Sequence, residues 1–343
     1  MRFKFSIITV LLAALLIGGA GAYAQKDKGQ GKGQGQGMGR GEGAGRGEGS
    51  KQDAKKQNQV TIATADTVNV TLSTGGGKIS VRGWDRREVR AASKDADARI
   101  ETHATGGGDA NNPPTRVEIL VSDKSDDEDA QCNSDIDMIL DVPRGATVYL
   151  KTQDGDVDVT DVAEAHIETS GGRIEMRRIS KATEATTVGG DITLEEASGR
   201  ARLTALGGVI EVKGVRLLDT SDFLKVRTVS GDILLEEIGP ARVQADTTSG
   251  VVKMTGPLAH GGNYTFNTTT GDVTLELPSD SSFKLNAKVF EGGEIVTEFP
   301  LKYKGPVSPG SLLQSGRLLG TYGSGDATIN LVSFSGTLRL RKK

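Results

Sequence analysis

The most constraining feature of this 343-residue chain is a short unit that recurs at solenoid spacing. Its plainest copies read Thr169-Ser170-Gly171-Gly172-Arg173-Ile174-Glu175-Met176, Thr187-Val188-Gly189-Gly190-Asp191-Ile192-Thr193-Leu194 and Thr228-Val229-Ser230-Gly231-Asp232-Ile233-Leu234-Leu235. Anchored on its second small residue, the unit recurs at Gly77, Gly155, Gly172, Gly190, Gly208, Gly231, Gly250, Gly271, Gly325 and Gly336. From Gly155 to Gly271 the intervals are 17, 18, 18, 23, 19 and 21 residues. One such unit cannot bury its own apolar face, so successive units must stack.

Two and four residues after the anchor stand apolar pairs such as Ile79 and Val81, Val157 and Val159, Ile192 and Leu194, and Val273 and Leu275. Five and seven before it stand Leu72 and Val70, Leu150 and Val148, and Phe266 and Tyr264. Alternation of period two marks a half-buried strand on each side of a glycine turn. A third position, seven after the anchor, is apolar or proline at Trp84, Val162, Ile179, Ala197, Val215, Ile238, Pro257 and Pro278. Stacked in chain order, each strand pairs with its copy one coil on, the sheets are parallel, and crossovers of this kind are right-handed. The expected fold is all-β, a right-handed parallel β-helix or β-solenoid over 59–343. The unit lapses between Gly77 and Gly155, where strand-like runs 88–92, 116–122 and 135–142 are separated by polar loops, and again over 277–321. Irregular first coils and a capped C-terminal end are expected there, because exposed sheet edges pair with other chains.

Two segments of another kind precede the repeat. Arg2 and Lys4 lead an uncharged run, 5–22, that closes on Ala22, Tyr23 and Ala24, the pattern of a secretory signal peptide. The expected signal is 1–24, cut between Ala24 and Gln25. Retention as an anchor is the alternative, since the run nearly reaches bilayer length. Gly18, Gly19 and Gly21 weaken its end, and no cysteine stands at the cut to carry a lipid. From Gly29 to Gly49 every odd residue is glycine, and 25–58 has no apolar face, so it reads as a disordered linker. It carries eight Lys or Arg against four Asp or Glu, while 59–343 has a net charge of −9. The linker's charges are dilute and no aromatic residue interleaves them, so it is a solvated spacer rather than an adhesive for an anionic surface. An acidic body has no basic field for nucleic acid, and no nucleic-acid partner or integral span after cleavage is expected.

Side chains that carry chemistry are sparse. Thr74, Thr152, Thr169, Thr187, Thr228, Thr247 and Thr268 stand three before the anchor, on buried parity, and form an internal ladder rather than a ligand-binding face. Asp156, Asp191, Asp232, Asp272 and Asp326 follow the anchor and read as Gly-Asp turns whose carboxylates bond their own backbone. Calcium, the alternative, needs carboxylates from adjacent coils, and Arg173, Val209 and Val251 interrupt the column. His103, His166 and His260 are scattered, with no Ser-His-Asp or metal constellation. The carboxylate pairs Asp158 with Glu175 and Glu195 with Glu196 are those a glycan-cleaving β-helix would use. Cys132 is the lone cysteine and permits no intrachain disulfide. No catalytic residue, metal site or cofactor is assigned, and the chain is expected not to be an enzyme.

The small-Gly-Asp-Ile-x-Leu unit, the Gly83-Trp84-Asp85 corner followed by Glu88-Val89, the Val142-Pro143-Arg144-Gly145 stretch and the closing Ser335-Gly336-Thr337-Leu338 resemble a family of exported, adhesin-like bacterial β-strand-repeat proteins, a domain of unknown function. That resemblance implies a right-handed β-helix outside the cytoplasm, in the periplasm, at the outer surface or extracellular, and it carries over no catalytic or ligand residue. The function expected is that of a non-enzymatic cell-envelope protein presenting a surface for polysaccharide or protein. A polysaccharide lyase or hydrolase and a periplasmic scaffold or signalling partner are the alternatives.

Overall fold

The computed structural model describes residues 58–108, 112–122, 135–302 and 316–343. The chain divides into two units, Met1–Gln52 and Asp53–Lys343, and the described residues all fall in the second. The expected cleavage at Ala24 and Gln25, the glycine-alternating segment and Cys132 lie outside them.

Every described element is a strand. The first are β1 (Gln59–Ala63), β2 (Asn69–Gly76), β3 (Ile79–Trp84), β4 (Glu88–Ser93), β5 (Arg99–Thr105), β6 (Arg116–Ser122) and β7 (Met138–Pro143). Regular coils follow as pairs: β8 (Thr147–Asp154) with β9 (Val157–Thr160), β10 (Glu164–Thr169) with β11 (Ile174–Arg177), and β12 (Ala182–Thr187) with β13 (Ile192–Glu195). Next come β14 (Arg200–Ala205) with β15 (Ile210–Lys213), β16 (Leu224–Arg227) with β17 (Ile233–Glu236), β18 (Arg242–Ser249) with β19 (Val252–Thr255), and β20 (Asn263–Thr270) with β21 (Val273–Leu277). The last are β22 (Phe283–Val289), β23 (Glu294–Thr297), β24 (Arg317–Tyr322), β25 (Ala327–Ser335) and β26 (Thr337–Lys342).

These strands form two 13-stranded sheets. The first runs β1-β4-β7-β3-β9-β11-β13-β15-β17-β19-β21-β26-β23, and the second β24-β22-β25-β20-β18-β16-β14-β12-β10-β8-β2-β6-β5. Between β8 and β21 the coils stack in chain order and in parallel, each apolar residue over its copy. Ile174 pairs with Val157 and Ile192, and Met176 with Val159 and Leu194. In the second sheet Ile167 stands between Leu150 and Ala185. The alternating positions point inward and are buried, so the two sheets enclose one continuous apolar interior. Val162, Ile179, Ala197, Val215 and Ile238 close its side at the second corner, whereas Pro257 is exposed.

Glycine at the anchor has a reason other than turn geometry. At Gly155, Gly172 and Gly190 the backbone is not left-handed, yet an added Cβ would overlap the carbonyl oxygen of the anchor one coil earlier, namely Gly77, Gly155 and Gly172. The same overlap recurs from Gly208 to Gly271, then at Gly336 over Gly271 and Gly293 over Gly336. Backbone rests directly on backbone along this corner, which only glycine permits. Ile136 ends the column: Gly77 abuts its backbone, and Ile136 keeps a side chain as the outermost member. Gly325 does not belong to it, since its neighbours are the side chains of Thr321 and Lys284, and Gly293 takes the place expected for it.

The ends depart from stacking in chain order. The first coil, β2 with β3, lies second from its end and is covered by the later coil β6 with β7. At the other end the last coil, β25 with β26, lies second and is covered by the earlier β22 with β23. Antiparallel strands then turn the edges back: β4 and β1 beyond β7, β5 beyond β6, and β24 beyond β22. Coils near both chain ends are thereby held on two sides. Phe283, Phe299 and Tyr322 fill the C-terminal opening, with ring centroids 4.9 to 5.7 Å apart. At the other end Asp141, buried with 2% of its side chain exposed, receives Arg90 and Arg82, and Trp84 donates its indole N–H to the Glu88 carbonyl at 2.8 Å.

Two measurements follow from these contacts. Gly190→Ala is expected to lower the thermal midpoint steeply, by about 3 kcal/mol or more of stability, since neither coil can yield without opening the ladder. Gly189→Ala, whose Cβ would meet only the Ser170 carbonyl at 3.6 Å, should stay near wild type, and equal losses would refute the stacked column. The second concerns acid. The bidentate bond from Arg178, joined by Arg144, holds the Asp161 carboxyl below its ordinary range. The Thr337 N–H, then Arg339, does so for Asp272, and Lys253 for Glu276. Carboxyls depressed in the folded state stabilise it above their unfolded pKa, near 4, and that contribution is lost as pH falls through the folded values. The thermal midpoint should be flat from pH 7 to about 5 and drop below about pH 4; a midpoint rising on acidification would contradict these pairings.

Candidate functional site

The solenoid offers two outer faces that differ in charge economy. On the first sheet opposite charges meet between successive coils: Arg177 meets Glu195 at 2.8 Å and Lys213 meets Glu236 at 3.6 Å within one column, and Lys253 reaches Glu276 diagonally at 3.0 Å. Each exposed pair is worth at most about 1 kcal/mol, but together they neutralise the face.

The second sheet carries a groove. Six residues before each anchor, on the outward parity, successive coils place Thr71, Tyr149, His166, Glu184, Arg202, Lys225, Gln244 and Thr265 side by side. Three adjoining clefts of about 460, 330 and 310 Å³ run along this row, sharing His166, Glu184 and Phe223. At one end the Tyr149 and His166 rings stack, with centroids 4.7 Å apart and planes within 11°. Glu184 stands 3.5 Å from His166 Nδ1, and Glu164 stands 3.9 Å from Nε2. Further along, Arg202 lies over the Phe223 ring at 5.8 Å, flanked by Arg200, Lys225 and Arg242.

Phe223 reaches this face because the interval from Gly208 to Gly231 is the longest, at 23 residues. The extra chain turns out after Val215, and Asp222 ties it back by accepting the Leu218 and Asp219 N–H groups, both at 2.8 Å. Arg242 anchors it from the next coil by donating to the Ser221 carbonyl. Insertion length, a tying carboxylate and a cross-coil guanidinium thus set a wall beside the row.

Of the residues singled out from sequence, His166 lies in this groove and the others fall elsewhere. Asp158 and Glu175 do sit in register, but Asp158 binds Lys78 at 2.5 Å and Glu175 binds Arg173 at 3.3 Å. Glu195 is held by Arg177, and Glu196 stands at a corner with φ 53°. His260 pairs with Asp326 at 2.7 Å, away from the groove, and His103 lies on the edge strand β5. The threonine ladder is internal: six of its seven members are buried and Thr74 is half-buried. Thr169 and Thr187 accept the N–H of their own anchor, at 3.2 and 3.1 Å, and Thr247 donates to the previous anchor's carbonyl at 3.2 Å. Thr74, Thr152, Thr228 and Thr268 make no such bond.

The aspartate column does not work as expected. Asp156, Asp191, Asp232 and Asp272 accept backbone N–H groups of the next coil, from Arg173, Val209, Val251 and Thr337, at 2.8 to 2.9 Å. Asp137 does the same for Lys78. Carboxylates occupy every second coil and donors the coils between, which separates like charges by about 10 Å. Asp326 stands outside this column, with His260 and the Gly261 N–H. Among the described residues no group of three or more His, Cys, Asp or Glu is placed to hold a metal ion. Tyr149, His166 and Phe223 were not legible as a site. The six-before column carries the signal, since its outward members change from aromatic to acidic to basic along the axis.

The family model Toastrack DUF4097 matches residues 135–341, more than half of the chain. No curated protein matches it. Among solved structures, one named a "putative cell adhesion protein" from Clostridium sporogenes is similar at 11% identity and a TM-score of 0.24, covering 83% of this chain and 99% of that one. Among the described residues no helix is long and apolar enough to cross a membrane.

The aspartate geometry sets a measurable outcome. Asp191→Ala removes the acceptor for the Val209 N–H and should cost about 1 kcal/mol of stability, while Asp191→Asn, which keeps an acceptor, should cost clearly less. Calcium or a chelator should leave the wild-type thermal midpoint unchanged; a calcium-dependent rise abolished by Asp191→Asn would overturn this reading.

Proposed function

This chain belongs to the Toastrack DUF4097 family, and from that premise we propose that it is an exported, non-enzymatic envelope protein whose β-solenoid presents the groove of its second sheet to polysaccharide or protein. The observation that carries the reading is the groove itself: outward side chains on rigid strands, aromatic at one end and basic further along, beside a wall built by one lengthened coil. Rigid presentation of aromatic and charged groups lowers the ordering cost of binding an extended partner. The non-enzymatic part draws support from the carboxylates considered for glycan cleavage, since Asp158, Glu175 and Glu195 are each tied to a lysine or arginine. In this proposal 1–24 is removed at Ala24 and Gln25, 25–58 is a flexible spacer, and 59–343 is the adhesin-like domain.

Binding of the purified chain to isolated bacterial envelope polysaccharides and envelope proteins tests it. Tyr149→Ala combined with His166→Ala, both at outward positions, should weaken the interaction by about tenfold or more with little change in thermal midpoint. Unchanged binding would remove the groove from the proposal, and turnover of a bound glycan would remove the word non-enzymatic. N-terminal sequencing of the protein recovered from cells should begin at Gln25.

A further inference from the structure

The basic stretch of the groove is anomalous on a body of net charge −9. Arg200, Arg202, Lys225, Arg227 and Arg242 converge on three consecutive coils of the second sheet, β14, β16 and β18. Two are partly neutralised: Arg202 lies 3.8 Å from Glu184, and Arg227 lies 3.4 Å from Asp246. Arg200 and Lys225 have no ion-pair partner among the described residues. Arg242 donates to the Ser221 carbonyl from one terminal nitrogen, a bond that leaves its charge uncompensated and its other N–H groups available. Arg200, Lys225 and Arg242 thus bring three cations without an ion pair to two adjoining clefts of the groove.

Their placement is ordered as well as basic. Arg200, Phe223 and Arg242 immediately precede the paired residues Ala201, Leu224 and Val243, so they form one row along the solenoid axis: cation, aromatic ring, cation. Adjacent members are one strand spacing apart, which puts the two guanidiniums about 10 Å from each other at their backbones. An extended polysaccharide advances by close to one strand spacing per sugar. Carboxylates on alternate sugars would then meet Arg200 and Arg242, with the neutral sugar between them against Phe223. Guanidinium suits this task, since its planar fork pairs with a carboxylate through two hydrogen bonds. Lys225, in the neighbouring row beside Phe223, adds a mobile point charge.

We propose that this stretch binds an anionic polysaccharide whose carboxylates recur on every second sugar, laid along the solenoid axis over Arg200, Phe223 and Arg242. This rests on the binding-surface reading above and names the ligand class for it. Nucleic acid is disfavoured because its charge recurs at every nucleotide and the surrounding acidic body repels so dense a polyanion.

Titration of the full purified chain with three oligomers tests it: hyaluronan, in which uronate alternates with a neutral amino sugar, neutral dextran, and oligo-dT. Hyaluronan oligomers should bind, with affinity falling on raising salt to about 0.5 M. Dextran and oligo-dT should bind at least about tenfold more weakly. Arg200→Ser with Lys225→Ser should reduce hyaluronan affinity by about tenfold with an unchanged thermal midpoint, and a Phe223→Ala variant should do so on its own. Equal binding of dextran, preference for oligo-dT, or hyaluronan binding indifferent to the double variant overturns the inference. If hyaluronan fails while an envelope polysaccharide or protein still binds through Tyr149 and His166, the inference falls and the binding-surface reading stands. If nothing binds the groove, both fall.

Discussion

Backbone laid on backbone at the glycine corner is the contact on which the rest of the solenoid depends. Where each anchor's α-carbon faces the carbonyl oxygen of the coil before it, no side chain separates the coils, and the strands leaving the corner can hold ladder spacing at once. The neighbouring columns exploit that closeness. Threonines three positions earlier reach the anchor's N–H or the previous carbonyl from inside, and aspartates one position later reach the next coil's N–H from outside. Groups that a turn would leave unpaired are thus partly bonded by short side chains on both sides of the corner.

That rigidity lets the two outer faces diverge. The first sheet pairs a cation on one coil with a carboxylate on the next, three times along its surface. The second sheet uses the same outward parity differently, bringing a stacked aromatic pair, a carboxylate and then a run of cations into one row. One lengthened coil supplies the wall. Because coils stack in register, a feature two residues wide on each strand extends along the axis without further design, which favours elongated partners over compact ones.

Much of this was legible in the chain. Strand identity, inward parity, parallel pairing and the buried threonines follow from a period of two repeated about every 17 to 23 residues. Less legible were features set by contacts between coils. The aspartates were expected to bond their own turns, and they bond the next coil, because the N–H left free lies one strand away and not two residues along. Gly325 carries the motif yet sits outside the glycine column, and Gly293, within a lapse of the unit, sits inside it. His166 looked isolated, and it lies between Tyr149 and two carboxylates contributed by three different strands.

The sequence by itself determined the coil: its strands, its glycine corner and which side chains face in, since these depend on alternation and on one residue without a Cβ. Tertiary structure decided the order of the coils at both ends and the composition of the groove. β2 with β3 lies beneath β6 with β7, and β25 with β26 beneath β22 with β23, because an edge strand with unpaired backbone is covered by whichever segment can reach it. Arg200, Phe223 and Arg242 share a row for the same reason: coil stacking brings together residues about twenty apart, and no local rule of the chain states which of them will meet.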